Sequence, residues 1–83
     1  MDSVTFTLHS RTYTISREGV LRVAREAWPE RVRDYYVEID RRRFPPTQLV
    51  RLAARTHDAP HSHNSRSILT RLGFAVQHPR GSR

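Results

Sequence analysis

The sequence predicts a single α+β domain in which a small antiparallel sheet, made of two hairpins and a C-terminal strand, packs against two to three helices. Residues 4–15 and 36–39 alternate apolar and polar side chains, as half-buried strands do. Three other segments repeat apolar residues at helical spacing, and each of them follows a strand or a polar loop. Together these patterns predict the order ββ-α-ββ-α-α-β.

The first hairpin is expected to span residues 4–15. Its apolar residues alternate with threonines, which suit the solvent-facing side of strands rich in β-branched residues. Ser10-Arg11 is the expected tip, although no Asn-Gly pair marks a two-residue turn at this point.

The first helix is expected to follow Ser16, a residue type that favours the N-cap position. Glu18 then lies in the first turn, where a negative charge is favoured by the helix dipole. Pro29 stops the helix. Trp28 falls in register with the apolar face, so we expect it to be buried rather than to stack on a base; that face also holds Val20, Leu21 and Ala24.

Two prolines join the second hairpin to the second helix. Asp40-Arg41 is the expected turn of that hairpin. Pro45-Pro46 suits the junction, because proline has no N–H to lose in a first helical turn and already holds a helical φ. Helical spacing continues through Leu49, Val50, Leu52 and Ala53.

A last helix and a last strand close the predicted domain. Ile68, Leu69 and Leu72 form an apolar stripe that ends at Gly73, the residue type best suited to a helix C-terminus. Residues 74–76 are the expected strand. The domain is therefore expected to span residues 1–76, and residues 77–83 are expected to be a disordered basic tail without apolar residues.

The composition favours a polyanionic partner. The chain has 83 residues and a net charge of +7, and all 15 of its basic residues are arginine, whose rigid fork of donors suits phosphate. Without cysteine there is no disulfide, thiol nucleophile or cysteine-ligated zinc. We find no apolar run of about 18 residues and no signal-peptide pattern, so a cytoplasmic protein without a membrane partner is expected.

The stretch from residue 37 to residue 74 resembles a small module that is found at the N-terminus of McrA-like HNH restriction endonucleases and in short actinobacterial proteins. The shared pattern is a strand ending in (F/Y)PP, a short helix with an alanine near its end, a polar loop and then hLxxLGF. It is carried here by Ile39, Asp40, Phe44, Pro45, Pro46, Leu49, Ala53, Ile68, Leu69, Leu72, Gly73 and Phe74.

This resemblance implies a link to restriction or to the sensing of foreign or modified DNA. Two positions depart from the family pattern, which has glycine where this chain has Arg41 and lysine where it has Thr47. If the family lysine contacts phosphate, other residues must do so in this chain. The nuclease domain of the large relatives is absent from this sequence.

Candidate nucleic-acid contacts lie first at the second hairpin. Arg41, Arg42 and Arg43 stand together at its expected tip, where three adjacent cations repel one another unless a partner such as a phosphate backbone neutralises them. The alternative is a solvated turn. On the second helix, Gln48, Arg51 and Arg55 could follow phosphates, or an arginine there could pair with Glu38 or Asp58.

The polar loop before the last helix supplies the other candidates. Ser62 or Asn64 is expected to cap that helix and to leave its N-terminal N–H groups facing outward, an arrangement that binds anions. Asn64 and Arg66 are expected to contact bases, since their side chains can make paired bonds to adenine and guanine. The remaining candidates of this loop and first turn are His63 and Ser67.

No catalytic constellation is visible in the sequence. The eight acidic residues are scattered, and no nuclease motif or paired carboxylate is present. The loop holding His57, Asp58, His61 and His63 has ligand types for zinc or nickel but lacks the spacing of an established metal motif, so we expect no cofactor.

The predicted function is therefore that of a non-catalytic module that binds nucleic acid, most readily double-stranded DNA, with the last helix and the tip at 41–43 entering or straddling a groove. RNA remains open as the ligand, as does the oligomeric state. One alternative is an adaptor whose arginines meet an acidic protein. The other is a small metal-dependent nuclease that uses the histidine loop.

Overall fold

The predicted element order is confirmed by the computed structural model, which describes residues 2–78. The chain follows the order ββαββααβ, and this confirms the α+β class. The elements are β1 (Ser3–Leu8), β2 (Arg11–Ser16), α1 (Arg17–Glu26), β3 (Tyr36–Ile39), β4 (Arg42–Phe44), α2 (Pro46–Ala54), α3 (Ser62–Arg71) and β5 (Val76–Gln77).

The strands are divided between two antiparallel sheets, whereas the sequence predicted that both hairpins and the last strand form one sheet. One sheet is the hairpin β1–β2, and the other has the order β4-β3-β5. The C-terminal strand therefore adds to the second hairpin, through the pairs Tyr36 with Gln77 and Val37 with Val76.

Both hairpins turn through two residues with positive φ. In the first, Leu8 pairs with Arg11, and the intervening His9 and Ser10 have φ of 51° and 65°. The predicted tip, Ser10-Arg11, is thus wrong by one residue, because the sequence offers no glycine to mark the left-handed positions. The second tip is confirmed at Asp40-Arg41, with φ of 53° and 67°.

The core lies where the helices cover the sheets. Helix α2 packs against α1 on one side and α3 on the other, and it also contacts β2. Burying a large apolar side chain contributes about 1.5–3 kcal/mol, so these contacts are the main source of stability. The most buried large side chains are Phe44, Leu49, Leu69, Leu72, Val20, Val37 and Val50.

Helix α1 begins as predicted but ends too early to bury Trp28. The Ser16 hydroxyl accepts a hydrogen bond from the Gly19 amide at 2.9 Å, which confirms the N-cap. The helix ends at Glu26 and Ala27 is already extended, so Trp28 leaves the apolar face and is 81% exposed. The predicted burial is wrong, because a residue before proline disfavours helical geometry and the turn that would have carried Trp28 does not form.

The end of α3 is closed by a Schellman motif. Gly73, with φ of 91°, donates to the Thr70 carbonyl at 2.9 Å, and Phe74 donates to the Leu69 carbonyl at 3.0 Å. Phe74 is buried here and precedes the last strand, which begins at Val76 rather than at residue 74 as predicted. Of the predicted tail, Gln77 belongs to β5 and residues 79–83 lie outside the described residues.

Candidate nucleic-acid interface

The three arginines of the second hairpin have different environments. Arg41 and Arg43 are exposed, and the Arg43 guanidinium carbon lies 4.6 Å from the centroid of the Tyr36 ring. Arg42 instead points toward the end of α1, where it donates to the carbonyls of Ala24 at 2.7 Å and Ala27 at 3.2 Å. The tip therefore offers two exposed guanidinium groups, and the third satisfies carbonyls that the helix end leaves unpaired.

The predicted contacts on α2 also differ in accessibility. Gln48 is only 3% exposed; its Nε2 donates to the Trp28 carbonyl and its Oε1 accepts from the Glu30 amide, both at 2.8 Å. Arg51 is half-buried and pairs with the Glu30 carboxylate. Arg55 is exposed at the end of the helix, in a left-handed conformation with φ of 59°. Only Arg55 of these three is therefore open to a ligand in this conformation.

Helix α3 begins without a side-chain cap. Its N-cap residue is His61, and neither Ser62 nor Asn64 fills that position, so the predicted cap is wrong. The chain is anchored one turn later, where the buried Ser65 hydroxyl donates to the Pro60 carbonyl at 3.1 Å. Ser62, His63, Asn64 and Ser67 are all exposed, so these four candidates are accessible.

The exposed side of α3 carries only polar side chains. Residues three and four apart on a helix share one side, and here that spacing joins His63, Asn64, Ser67, Thr70 and Arg71, which we call the α3 face. No acidic residue interrupts it. A groove of about 190 Å³ separates it from the first hairpin, with Phe6 and Thr7 opposite Asn64, Ser67 and Arg71.

Arg66 lies away from the α3 face. Its guanidinium carbon is 4.0 Å from the centroid of the Tyr35 ring, and the same ring meets His78 edge to face at 5.2 Å. Residues two apart on a helix point in different directions, so Asn64 and Arg66 are not brought together as a base-reading pair.

A second cavity, of about 450 Å³, lies between residues 30–35 and the N-terminal ends of α2 and α3. Its lining includes Arg31 and Arg33 but also Glu30 and Asp34, so the cavity has charges of both signs. A polyanion is attracted less to this lining than to the acid-free α3 face.

The histidine loop is not assembled as a metal centre. Within residues 2–78, no three His, Cys, Asp or Glu side chains lie together in an arrangement that could hold a metal ion. His57, His61 and His63 are exposed, and Asp58 instead lies 3.6 Å from the exposed His9 of the first hairpin tip.

No helix in the described part of the chain has both the length and the apolar character that crossing a membrane requires.

Sequence reasoning overlooked two features. Thr70 and Arg71 belong to the α3 face, and the spacing that identified Ile68, Leu69 and Leu72 as buried could have placed these two on the opposite side. Trp28 is the second, since Pro29 signals that the helix ends before it and so leaves its ring outside the core.

Comparison of the chain with models of protein families, with curated proteins and with solved structures finds no match.

Proposed function

We propose that the chain is a non-catalytic nucleic-acid-binding module that acts in the cytoplasm and whose ligand is double-stranded DNA. The proposal rests on the number of arginines that are exposed and have no carboxylate partner within ion-pair distance. Among residues 2–78, Arg51 alone lies within ion-pair distance of an Asp or Glu carboxylate. The exposed arginines of this part of the chain are Arg11, Arg22, Arg25, Arg31, Arg33, Arg41, Arg43, Arg55 and Arg71.

This surplus of cations favours a polyanion. In a chain with a net charge of +7, unpaired guanidinium groups repel one another, whereas a phosphate backbone neutralises them and loses its own condensed counterions as it does so. Guanidinium groups also bind phosphate oxygens in a bidentate manner.

The shape and side chains of the α3 face favour duplex DNA over other polyanions as the ligand. A helix with its side chains is about 10–12 Å in diameter and so matches the major groove, which is about 12 Å wide. Asn64 and Arg71 can make paired bonds to adenine and guanine, while Ser67 and Thr70 have hydroxyls for bases or phosphates. Arg71 takes the role of base contact that the sequence suggested for Arg66, because Arg66 is held over Tyr35.

The link to restriction or to modified DNA rests on the resemblance of residues 37–74 to the modules of restriction endonucleases. It makes methylated and phosphorothioated duplexes the informative ligands beside unmodified DNA.

A protein-interaction adaptor is the second candidate function, and the exposure of Trp28 favours it. Tryptophan and arginine are the residue types most enriched among side chains that dominate protein interfaces. An adaptor would form a stoichiometric complex with an acidic protein, and that complex would survive treatment with nuclease.

The deciding experiment measures binding of the purified protein to fluorescently labelled plain, methylated and phosphorothioated duplexes across a salt series. We expect micromolar or tighter binding and a logarithm of the association constant that falls linearly with the logarithm of salt concentration. Absence of binding at low salt would overturn the proposal.

The α3 face is tested by the triple variant Asn64→Ala, Ser67→Ala and Arg71→Ala. We expect it to lose any preference among sequences or modifications, because Asn64 and Arg71 are the proposed base contacts, and to reduce the salt slope by at most about 0.9, since one positive charge is removed. Arg22→Ala, an exposed arginine on α1, is the matched control for loss of a single charge. A triple variant with unchanged preference and slope would remove α3 from the interface.

A further inference from the structure

Trp28 is the one large hydrophobic side chain that is exposed in the described part of the chain, and its backbone is held on both sides. The buried amide of Gln48 binds the Trp28 carbonyl and the Glu30 amide, each at 2.8 Å. Arg42 binds the carbonyl of the preceding Ala27 at 3.2 Å. The exposed indole therefore belongs to a segment without regular secondary structure, whose backbone is fixed by the buried Gln48 side chain.

The surroundings of the indole are charged rather than apolar. The Arg42 guanidinium carbon lies 5.6 Å from the centroid of the Trp28 ring, within the range of a cation–π interaction. The carboxylate of Glu30 is paired with Arg51. Glu26 and Arg25, at the end of α1, are exposed and of opposite sign.

We propose that Trp28 stacks on an unpaired base of a bound nucleic acid while the exposed arginines nearest to it in the sequence, Arg25 and Arg31, meet its phosphates. This proposal rests on the nucleic-acid-binding function proposed above and names the structural feature that is recognised. Every base offers a π-face to an indole whatever its sequence, and arginines beside a stacking aromatic are typical of surfaces that bind unpaired strands.

An unpaired base fits this surface better than a protein does. The centre of a protein interface is enriched in apolar side chains and depleted of charge. Around Trp28 the described residues offer no second exposed large hydrophobic side chain that could extend such a centre. At 81% exposure, the ring keeps a face open to a flat ligand although Arg42 approaches it.

The test uses the intrinsic fluorescence of Trp28, the only tryptophan in the chain. The ligands are two covalently closed DNA dumbbells of equal length, one fully paired and one with a single unpaired adenine in the middle of its stem. Closed ends prevent the indole from stacking on a terminal base pair. N-acetyltryptophanamide, titrated with the same DNA, corrects for absorption by the bases.

We expect the bulged dumbbell to quench the fluorescence and the paired dumbbell to leave it nearly unchanged. Trp28→Ala should weaken binding of the bulged dumbbell about 10-fold without affecting the paired one, and Trp28→Phe should restore part of the loss. Thermal unfolding of the variants checks their folding, which the exposed position of the ring leaves undisturbed.

Two other results would each overturn the proposal, and they are distinguishable. Salt-dependent binding of both dumbbells, with no quenching and with equal affinities for wild type and Trp28→Ala, would exclude stacking and leave the proposed function intact. Failure of both dumbbells to bind at low salt would contradict the proposed function and the stacking role together.

Discussion

Arg17 donates a hydrogen bond from Nη1 to the main-chain carbonyl of Leu72 at 3.0 Å, and so joins the first residue of α1 to the C-cap of α3 across 55 positions. Its guanidinium carbon also lies 4.5 Å from the centroid of the Phe74 ring. One arginine thereby satisfies a carbonyl at a helix end and covers the aromatic residue that closes the Schellman motif. This side chain stabilises the fold, in contrast to the exposed arginines proposed to bind DNA.

Arg17→Ala is expected to lower the free energy of unfolding by about 1–3 kcal/mol, because it removes a hydrogen bond from a charged donor and a cation–π contact. Urea unfolding followed by circular dichroism measures the change. Arg22→Ala removes an equal charge from an exposed site on the same helix and should stay within about 0.5 kcal/mol of wild type. Equal stabilities of the two variants would show that the contact with Leu72 contributes nothing.

Gly73→Ala is expected to destabilise the protein by about 1–2 kcal/mol, since φ of 91° is costly for any residue with a side chain. A β-carbon at this position would also lie 3.0 Å from the Arg17 Nη1. The double variant Arg17→Ala, Gly73→Ala separates these two causes. If crowding contributes, the double variant will be more stable than the sum of the single effects predicts.

Gln48→Ala is expected to lower stability by about 1–3 kcal/mol, because the Trp28 carbonyl and the Glu30 amide both lose their partner. The neighbouring Thr47→Ala is the control, as no side-chain hydrogen bond of Thr47 is present in the described part of the chain. Thermal unfolding measures both. Wild-type stability of Gln48→Ala would mean that solvent replaces the buried amide at no cost.

The arginines of the second hairpin tip should separate into two classes. Arg41→Ala with Arg43→Ala is expected to reduce the salt slope of DNA binding by up to about 1.8 and to leave the free energy of unfolding within about 1 kcal/mol of wild type. Arg42→Ala is expected to cost about 1.5–3 kcal/mol of stability, because it leaves the carbonyls of Ala24 and Ala27 without their donor. Salt titrations and urea unfolding of both variants test this separation, which a similar loss of stability in both would contradict.

Local patterns were enough to predict the fold class and the element order. Alternation marked the strands, Ser16 marked the start of α1, and Gly73 marked the end of α3, because each of these signals acts through the backbone of its own segment. The division of the strands into two sheets could not be predicted, since pairing between distant strands leaves no trace in either segment.

The candidate site was harder to predict because tertiary contacts decide which polar side chains stay free. Arginine and glutamine are residue types that often contact DNA. Arg42 and Gln48 nevertheless bind the main chain of residues 24–30. Those acceptors are carbonyls and an amide left unpaired by the end of a helix, and sequence alone does not specify which side chain reaches them. His63, Asn64 and Ser67 are exposed on α3, where the helical period places them opposite the apolar stripe.

The two hydrogen bonds of the Gln48 side chain, to the Trp28 carbonyl and the Glu30 amide, restrict the motion of the chain between α1 and β3. A stretch outside regular secondary structure normally exchanges its amide protons with solvent rapidly. The Glu30 amide, however, is bonded to a side chain that becomes accessible only when α2 separates from its neighbours. Deuterium uptake at the Glu30 amide should therefore be as slow as uptake at amides of the core. The backbone around Trp28 is rigid and holds the indole in one position, so this segment does not act as a hinge.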